Sequence, residues 1–291
     1  MEQLWIACAD GNVEEVRKLL QNSQININWQ DPQYLRTLFM VACGDGRTEI
    51  VKLLLNDNRV DINKVESQDA TPFYIACAKG QTEIVSLLLN DKRVDINKVD
   101  QKGITPIYVA CEFEHIEIVK LLLDDERVDI NKGDSEGGSP LYITCQEEYI
   151  EIVKLLLNDE RVDINQADDK IGLTPFHIAC YKGHIEIVKY LLAYGREIDL
   201  NKTTNEGDET PLDISKQRST STQKFEWETE EEFQKVKRNC PKIVELIESF
   251  QRNPNETRAK LRKELGLPTK LILFLIVKNG KKKKKIIKKI R

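Results

Sequence analysis

The sequence predicts an all-α solenoid, in which about seven helix-turn-helix units are stacked and joined by β-turn or hairpin fingers. Three observations carry that expectation. Six of the seven cysteines fall into register, Cys8, Cys43, Cys77, Cys111, Cys145 and Cys180, at spacings of 34 or 35 residues. Around them run near-copies of one opening: Thr71-Pro72-Phe73-Tyr74-Ile75-Ala76-Cys77, Thr105-Pro106-Ile107-Tyr108-Val109-Ala110-Cys111 and Thr174-Pro175-Phe176-His177-Ile178-Ala179-Cys180. Five units also carry close versions of Glu83-Ile84-Val85-Ser86-Leu87-Leu88-Leu89 followed by Arg93-Val94-Asp95-Ile96-Asn97-Lys98. A fixed period of about 20 to 50 residues marks a stacked repeat architecture.

Each part of the unit has a physical reading. Thr followed by Pro opens a helix, since the hydroxyl accepts from an orphan amide and proline presets the first helical angle. Ile75, Ala76 and their counterparts give that helix a small apolar face. Gly46, Gly80 and Gly183 end it, where the chain turns through positive φ. A second helix places Ile, Val and Leu on one face. A polar Asn-Asp pair follows, then the Val-Asp-Ile alternation of a short extended segment and a turn such as Asp100-Gln101-Lys102-Gly103. One unit alone leaves a face unburied, so neighbours must stack.

This pattern resembles the ankyrin repeat, with its T-P-L-H-x-A signature. The likeness divides the chain into a degenerate N-terminal cap at 1–33 and repeats at 34–67, 68–101, 102–135, 136–170 and 171–206. A degenerate seventh unit with an insertion spans 207–251, and a basic, disordered tail spans 252–291. The signature His is Tyr74, Tyr108 or Tyr142 in three units and stays His at His177. Arg-Val stands where the family commonly has Gly-Ala before Asp. In units four and five, Glu114 and Glu148 replace the helix-ending glycine, which predicts turns of a different shape.

Charge is unevenly spread. Between Arg258 and Arg291, 14 bases face one acid, Glu264, for a net +13, whereas the rest of the chain holds 30 bases and 47 acids, a net −17. No signal peptide is evident, and the longest apolar run, Leu271 to Val277, is far short of the ~20 residues a membrane-spanning helix needs. These features predict a monomer in the cytoplasm, with the nucleus open because of the basic tail. Registered cysteines one repeat apart lie beyond disulfide reach and read as small core residues; Cys240, out of register, reads as an exposed thiol or an ordinary free one. His115, His177 and His184 have no nucleophile at a useful spacing and read as structural. With no phosphate-binding loop and no metal-ligand cluster, the sequence predicts no enzyme, no cofactor and no metal.

Function must then lie on the surface. The resemblance implies that protein partners meet the concave side, made of turn tips and first helices. Comparing the chain's own repeats shows which positions vary while the framework holds. After each cysteine run Ala9, Gly44, Ala78, Glu112, Gln146 and Tyr181, then Asp10, Asp45, Lys79, Phe113, Glu147 and Lys182. The tips vary at Tyr34 and Arg36, Gln68, Lys102 and Ile104, Glu136, and Lys170. Phe113 and Tyr181 are large aromatics of the kind that anchor interfaces, and with Glu112 and Glu147 they are expected to form the groove's middle. Neutral variation at exposed sites is the alternative for any one of these residues.

The insertion, from Ser215 to Cys240, reads as a Ser219–Thr222 loop and a charged stretch from Phe225 to Lys237. Its acidic run Glu228 to Glu232 reads as a solvated helix or a contact for a basic partner. The tail, with Lys281 to Lys285 and Lys288-Lys289, has three readings: a patch for anionic lipid, a nuclear address or nucleic-acid contact, or an end of no consequence.

Overall fold

The computed structural model describes residues 2–268. Helices pair along the chain: α1 (Glu2–Ala9) with α2 (Val13–Leu20), α3 (Leu38–Gly44) with α4 (Thr48–Leu55), α5 (Pro72–Ala78) with α6 (Thr82–Leu89) and α7 (Pro106–Glu112) with α8 (Ile116–Leu123). Next come α9 (Pro140–Gln146) with α10 (Ile150–Leu157), α11 (Pro175–Tyr181) with α12 (Ile185–Ala193), and α13 (Pro211–Thr220) with the longer α14 (Glu230–Arg252). A further helix, α15 (Pro254–Glu264), follows. Each odd-numbered helix from α1 to α13 packs on the next, giving an inner row, and α2 to α12 form an outer row in the same way. The expected solenoid of seven units is what the chain forms.

The inner helices start as the sequence implies. Thr37, Thr71, Thr105, Ser139, Thr174 and Thr210 each accept from the amide three residues on. His177 adds the reciprocal bond of a capping box, its Nδ1 3.2 Å from the Thr174 amide, and burial keeps its pKa below the usual histidine value. The tyrosines at that position reach elsewhere. The Tyr74 and Tyr108 hydroxyls each donate to a finger aspartate 26 residues on, Asp100 and Asp134, at 3.2 Å. Between the rows lies the core. All seven cysteines are buried free thiols in it, including Cys240, which sits against the Cys180 carbonyl rather than at the surface.

The Val-Asp-Ile segments alternate as expected, with Val94 and Ile96 buried and Asp95 exposed. They are not strands, and the described residues contain a single isolated bridge, Gln30 to Thr37. Asparagine side chains take over the role of a ladder. Asn97 Nδ2 donates to the Arg127 carbonyl at 2.8 Å and its Oδ1 accepts from the Asp129 amide at 2.9 Å. Asn28, Asn63, Asn131 and Asn165 repeat the bridge. Asn97→Ala should therefore cost about 1–2 kcal/mol for two net hydrogen bonds, read as a lower denaturation midpoint. An unchanged midpoint would show that the ladder carries no stability.

The Arg-Val departure also has a reason. Arg59, Arg93, Arg127 and Arg161 each clamp the aspartate two residues earlier. Each then donates to the last carbonyl of the preceding repeat's outer helix, at Leu20, Leu55, Leu89 and Leu123. A guanidinium there meets the negative end of the helix.

After residue 251 the described chain is helical, as Thr257 to Leu265, with the look of a short basic helix ahead of Gly266 and Pro268, leads one to expect. Helix α15 packs on α12 and α14. Arg258 and Arg262 donate to the Leu192 and Ala193 carbonyls that end α12, at 3.3 and 2.7 Å. Part of the basic excess thus caps a helix. The lysine-rich run and its lipid and nucleic-acid readings lie outside the described residues. Within 2–268 no helix is long and apolar enough to cross a membrane.

Candidate functional site

The variable positions after each cysteine lie where α3 to α11 end and the chain turns into the outer row. That turn keeps one shape throughout. Glu114 and Glu148 have φ of 55° and 61°, beside 72°, 71° and 68° at Gly46, Gly80 and Gly183. The expected change of shape does not occur, and the two glutamates carry the strain instead, on the order of 1 kcal/mol each. Glu148 uses its position, as described below, whereas Glu114 is exposed. Glu114→Gly should stabilise the chain by about 0.5–1 kcal/mol. A fall in its denaturation midpoint would contradict this account of the turn.

A row of side chains ties these turns together. The residue just before each outer helix reaches back to the carbonyl following the previous repeat's cysteine. Arg47 donates to Ala9, Gln81 to Gly44 at 2.9 Å, and the Nε2 atoms of His115 and His184 to Ala78 and Gln146 at 3.0 Å. Arg218 of α13 does the same for Tyr181, at 3.2 Å. Both histidines outside the Thr-Pro signature are therefore inter-repeat ties. The row has one gap among the described residues: Tyr149 precedes α10 with the same backbone angles as His115 and His184, yet the Glu112 carbonyl receives no side-chain donor.

Around that gap the concave face is open and acidic. Phe113 is 55% exposed, the most exposed large hydrophobic residue described, with only the His115 ring beside it, 6.3 Å away. Glu112 is half-buried; burial first, then Asp100, Glu147 and Asp134, push its carboxyl above the usual glutamate value, with Lys102 opposing. Glu147 is exposed and accepts from Gln146 at 2.9 Å. Lys79 is exposed on the preceding turn.

The finger tips place the other expected residues. Tyr34, Arg36, Gln68, Lys102, Glu136 and Lys170 are exposed, while Ile104 is half-buried against the core. Several are already engaged. Arg36 pairs with Asp31 at 3.2 Å and lies over Tyr34, and Lys170 pairs with Glu136 at 2.8 Å. The tips are tied through their backbones, as Gln101, Ser135 and Asp169 amides donate to the Gln68, Lys102 and Glu136 carbonyls.

Tyr181 and Lys182 do not stand in an open groove, because the insertion folds back over them. Ser219 and Thr220 complete α13, and the loop proper, residues 221–229, forms a strap across repeat 6. Arg218 is buried, its Nη2 2.5 Å from Glu228, with side chains 3% and 2% exposed. Its guanidinium lies against the rings of both Tyr181 and Phe225, 4.9 and 5.0 Å from their centroids. Phe225 stacks on Trp227 at 5.6 Å, and the Lys182 ammonium sits 4.4 Å from the Trp227 centroid. Glu228 is thus a buried partner and not part of a solvated acidic helix. Glu232 closes a capping box with Thr229 at the start of α14.

A second clamp holds α14 against repeats 5 and 6. Lys235 forms an ion pair with Glu148, and His184 Nδ1 stands 3.4 Å from the other Glu148 oxygen. His184, and then Lys235, hold the Glu148 carboxyl down to about 2 against the opposing effect of burial. Between strap and repeat 5 remains a cavity of about 210 Å³, lined by residues that include Glu147, Lys182, His184, Trp227 and Lys235. The predicted middle of the groove is therefore split: Glu112, Phe113 and Glu147 share the open part, and Tyr181 lies under the strap. The sequence signal for the strap was the pair Phe225 and Trp227, two large aromatics in an otherwise polar stretch.

Known proteins share this architecture. A family described as ankyrin repeats (3 copies) matches residues 4–100 and 92–168, and one described as ankyrin repeats (many copies) matches residues 145–192. No curated protein matches the chain. Among solved structures, the ankyrin repeat domain of Bcl-3, described as a unique member of the IkappaB protein family, is similar with a TM-score of 0.65 and 24% identity. The match covers 73% of this chain and 92% of that one. At such identity the likeness bears on fold alone.

Proposed function

Because the chain belongs to the ankyrin-repeat family, we propose that it is a non-catalytic scaffold or adaptor that holds a protein partner on its concave face, centred on repeat 4. The observation that carries this reading is Phe113, 55% exposed on an otherwise polar turn. Leaving a phenylalanine in water forgoes about 1.5–3 kcal/mol of burial, and aromatic side chains in such positions dominate interface energetics. The strained Glu114 beside it points the same way, since strain kept at an exposed turn is a mark of functional sites. Buried cysteine thiols suit a reducing compartment, so cytoplasm or nucleus is the proposed location.

The test is affinity capture from lysate by the full chain and by Phe113→Ala, read by mass spectrometry, with Phe225→Ala as the control on the strapped side. A partner held by the parent chain and weakened at least 30-fold by Phe113→Ala, at unchanged thermal stability, supports the site. A partner lost only with Phe225→Ala would move the site to the strap.

A further inference from the structure

We propose that the open face of repeat 4 docks a basic segment of the partner protein, in which an apolar residue covers Phe113 while a neighbouring Lys or Arg donates to the Glu112 carbonyl. This rests on the reading of repeat 4 as the binding face and adds the chemistry of what it takes. Three features of the face argue for that occupant. The first is the gap in the inter-repeat row. The other five carbonyls are claimed by Arg47, Gln81, His115, His184 and Arg218. All five are N–H donors, and two carry a guanidinium. At Glu112 the row supplies Tyr149, which makes no such bond, so one acceptor in a repeating set is left for a donor from outside.

The second feature is charge. Glu112, Glu114 and Glu147 surround the gap, and none of the three forms an ion pair among the described residues. On the next turn Glu148 is answered by Lys235, and elsewhere Glu136 is answered by Lys170 and Glu228 by Arg218, whereas Asp10 and Asp45 stand singly on their turns without a second or third carboxylate beside them. Close to a protein surface, each new cation–carboxylate contact adds a modest attraction that salt screens. Three carboxylates near Tyr149, with an unclaimed carbonyl on the same turn, suit an ammonium or guanidinium better than a neutral donor. The third feature is Phe113 itself, whose exposed ring offers an apolar contact and a face for a cation. The strapped repeat shows the same combination satisfied internally. There Arg218 donates to the Tyr181 carbonyl, pairs with Glu228 and stacks on Tyr181. Repeat 4 has the carbonyl, the carboxylates and the ring, and lacks the arginine.

The experiment uses the full chain and three fluorescein-labelled probes of equal length: a peptide of lysines around a central phenylalanine, the same peptide with alanine at the centre, and one with glutamates for lysines. Fluorescence anisotropy should show saturable binding of the first, at least tenfold weaker binding of the second, and none of the third. Glu112→Gln and Glu114→Gln should each weaken the first probe several-fold at low salt, and the loss should shrink as ionic strength rises. The decisive variant is Tyr149→His, which installs the ladder's own donor. It should close the gap, preserve or raise thermal stability, and weaken the probe at least tenfold. Binding unchanged by Tyr149→His, or equal for the lysine and glutamate peptides, overturns the inference. If the probe binds only after Lys281–Lys285 are changed to glutamine, the occupant is the chain's own end, which overturns an external partner. If Phe113→Ala abolishes lysate capture while no lysine peptide binds, the face stands and its basic occupant falls. If Phe113→Ala affects neither, the reading of the face itself has failed.

Discussion

Arg218→Ala should destabilise the strap by about 3–5 kcal/mol, because it leaves the Glu228 carboxylate buried without its cation. Both side chains are almost fully buried, and the guanidinium is held at once by a carboxylate, a carbonyl and two rings. Its loss removes each of these contacts together. The effect should be local before it is global: amides of residues 225–236 should lose hydrogen-exchange protection while those of α5 to α8 keep theirs. Replacing both partners, Arg218→Met with Glu228→Leu, should recover much of the loss, since a buried pair is often no better than apolar residues of similar volume. A loss under about 1 kcal/mol for Arg218→Ala would show that the strap does not depend on this pair.

The second large effect is a pH dependence set by Glu148. Its carboxyl is lowered from an ordinary 4.5 to about 2 by His184 and Lys235. A group whose folded pKa is depressed stabilises the fold above its unfolded value and loses that contribution as pH falls through the folded one. Stability from this clamp should therefore be complete above about pH 5 and decline between about 4.5 and 2. The shift corresponds to about 2–3 kcal/mol, allowing for the partial exposure of both side chains. Glu148→Gln should cost that amount at pH 7, and its difference from the parent chain should vanish near pH 2. Denaturant titrations of the two proteins across that range provide the measurement. A difference that stays constant with pH would mean that Glu148 acts through packing rather than charge.

The architecture was legible because the repeat states the same instruction six times. Thr-Pro at 71, 105 and 174, the registered cysteines and the Ile-Val-Leu helices agree, and agreement across copies outweighs the weak signal of any one copy. What one copy cannot show is contact between copies. The Arg-Val departure looked like a mere variation until Arg93 was seen to cap the helix ending at Leu89. Asn97 likewise bridges two repeats through its side-chain amide, which its place within one copy does not show. Both effects act between residues about 30 to 38 apart.

The groove residues were legible in part. Comparing repeats picked out Phe113 and Glu147, which are exposed, and Glu112, which is half-buried, because framework and surface positions obey different constraints. It could not show that Tyr181 lies under Phe225 and Trp227, because what covers that ring comes from the insertion, the one stretch with no counterpart in the other repeats. It also read Glu114 and Glu148 as a change of turn. Neighbouring repeats set the turn geometry firmly enough that the backbone accepts a strained residue there.

Hydrogen exchange of the full chain, with and without the partner recovered by capture, tests the central claim most directly. The account predicts new protection confined to the inner turns of repeats 4 and 5, residues 105–115 and 139–149, with the outer helices unchanged. Protection on α4, α6 and α8 with residues 111–115 unaffected would place the partner on the opposite face and contradict it.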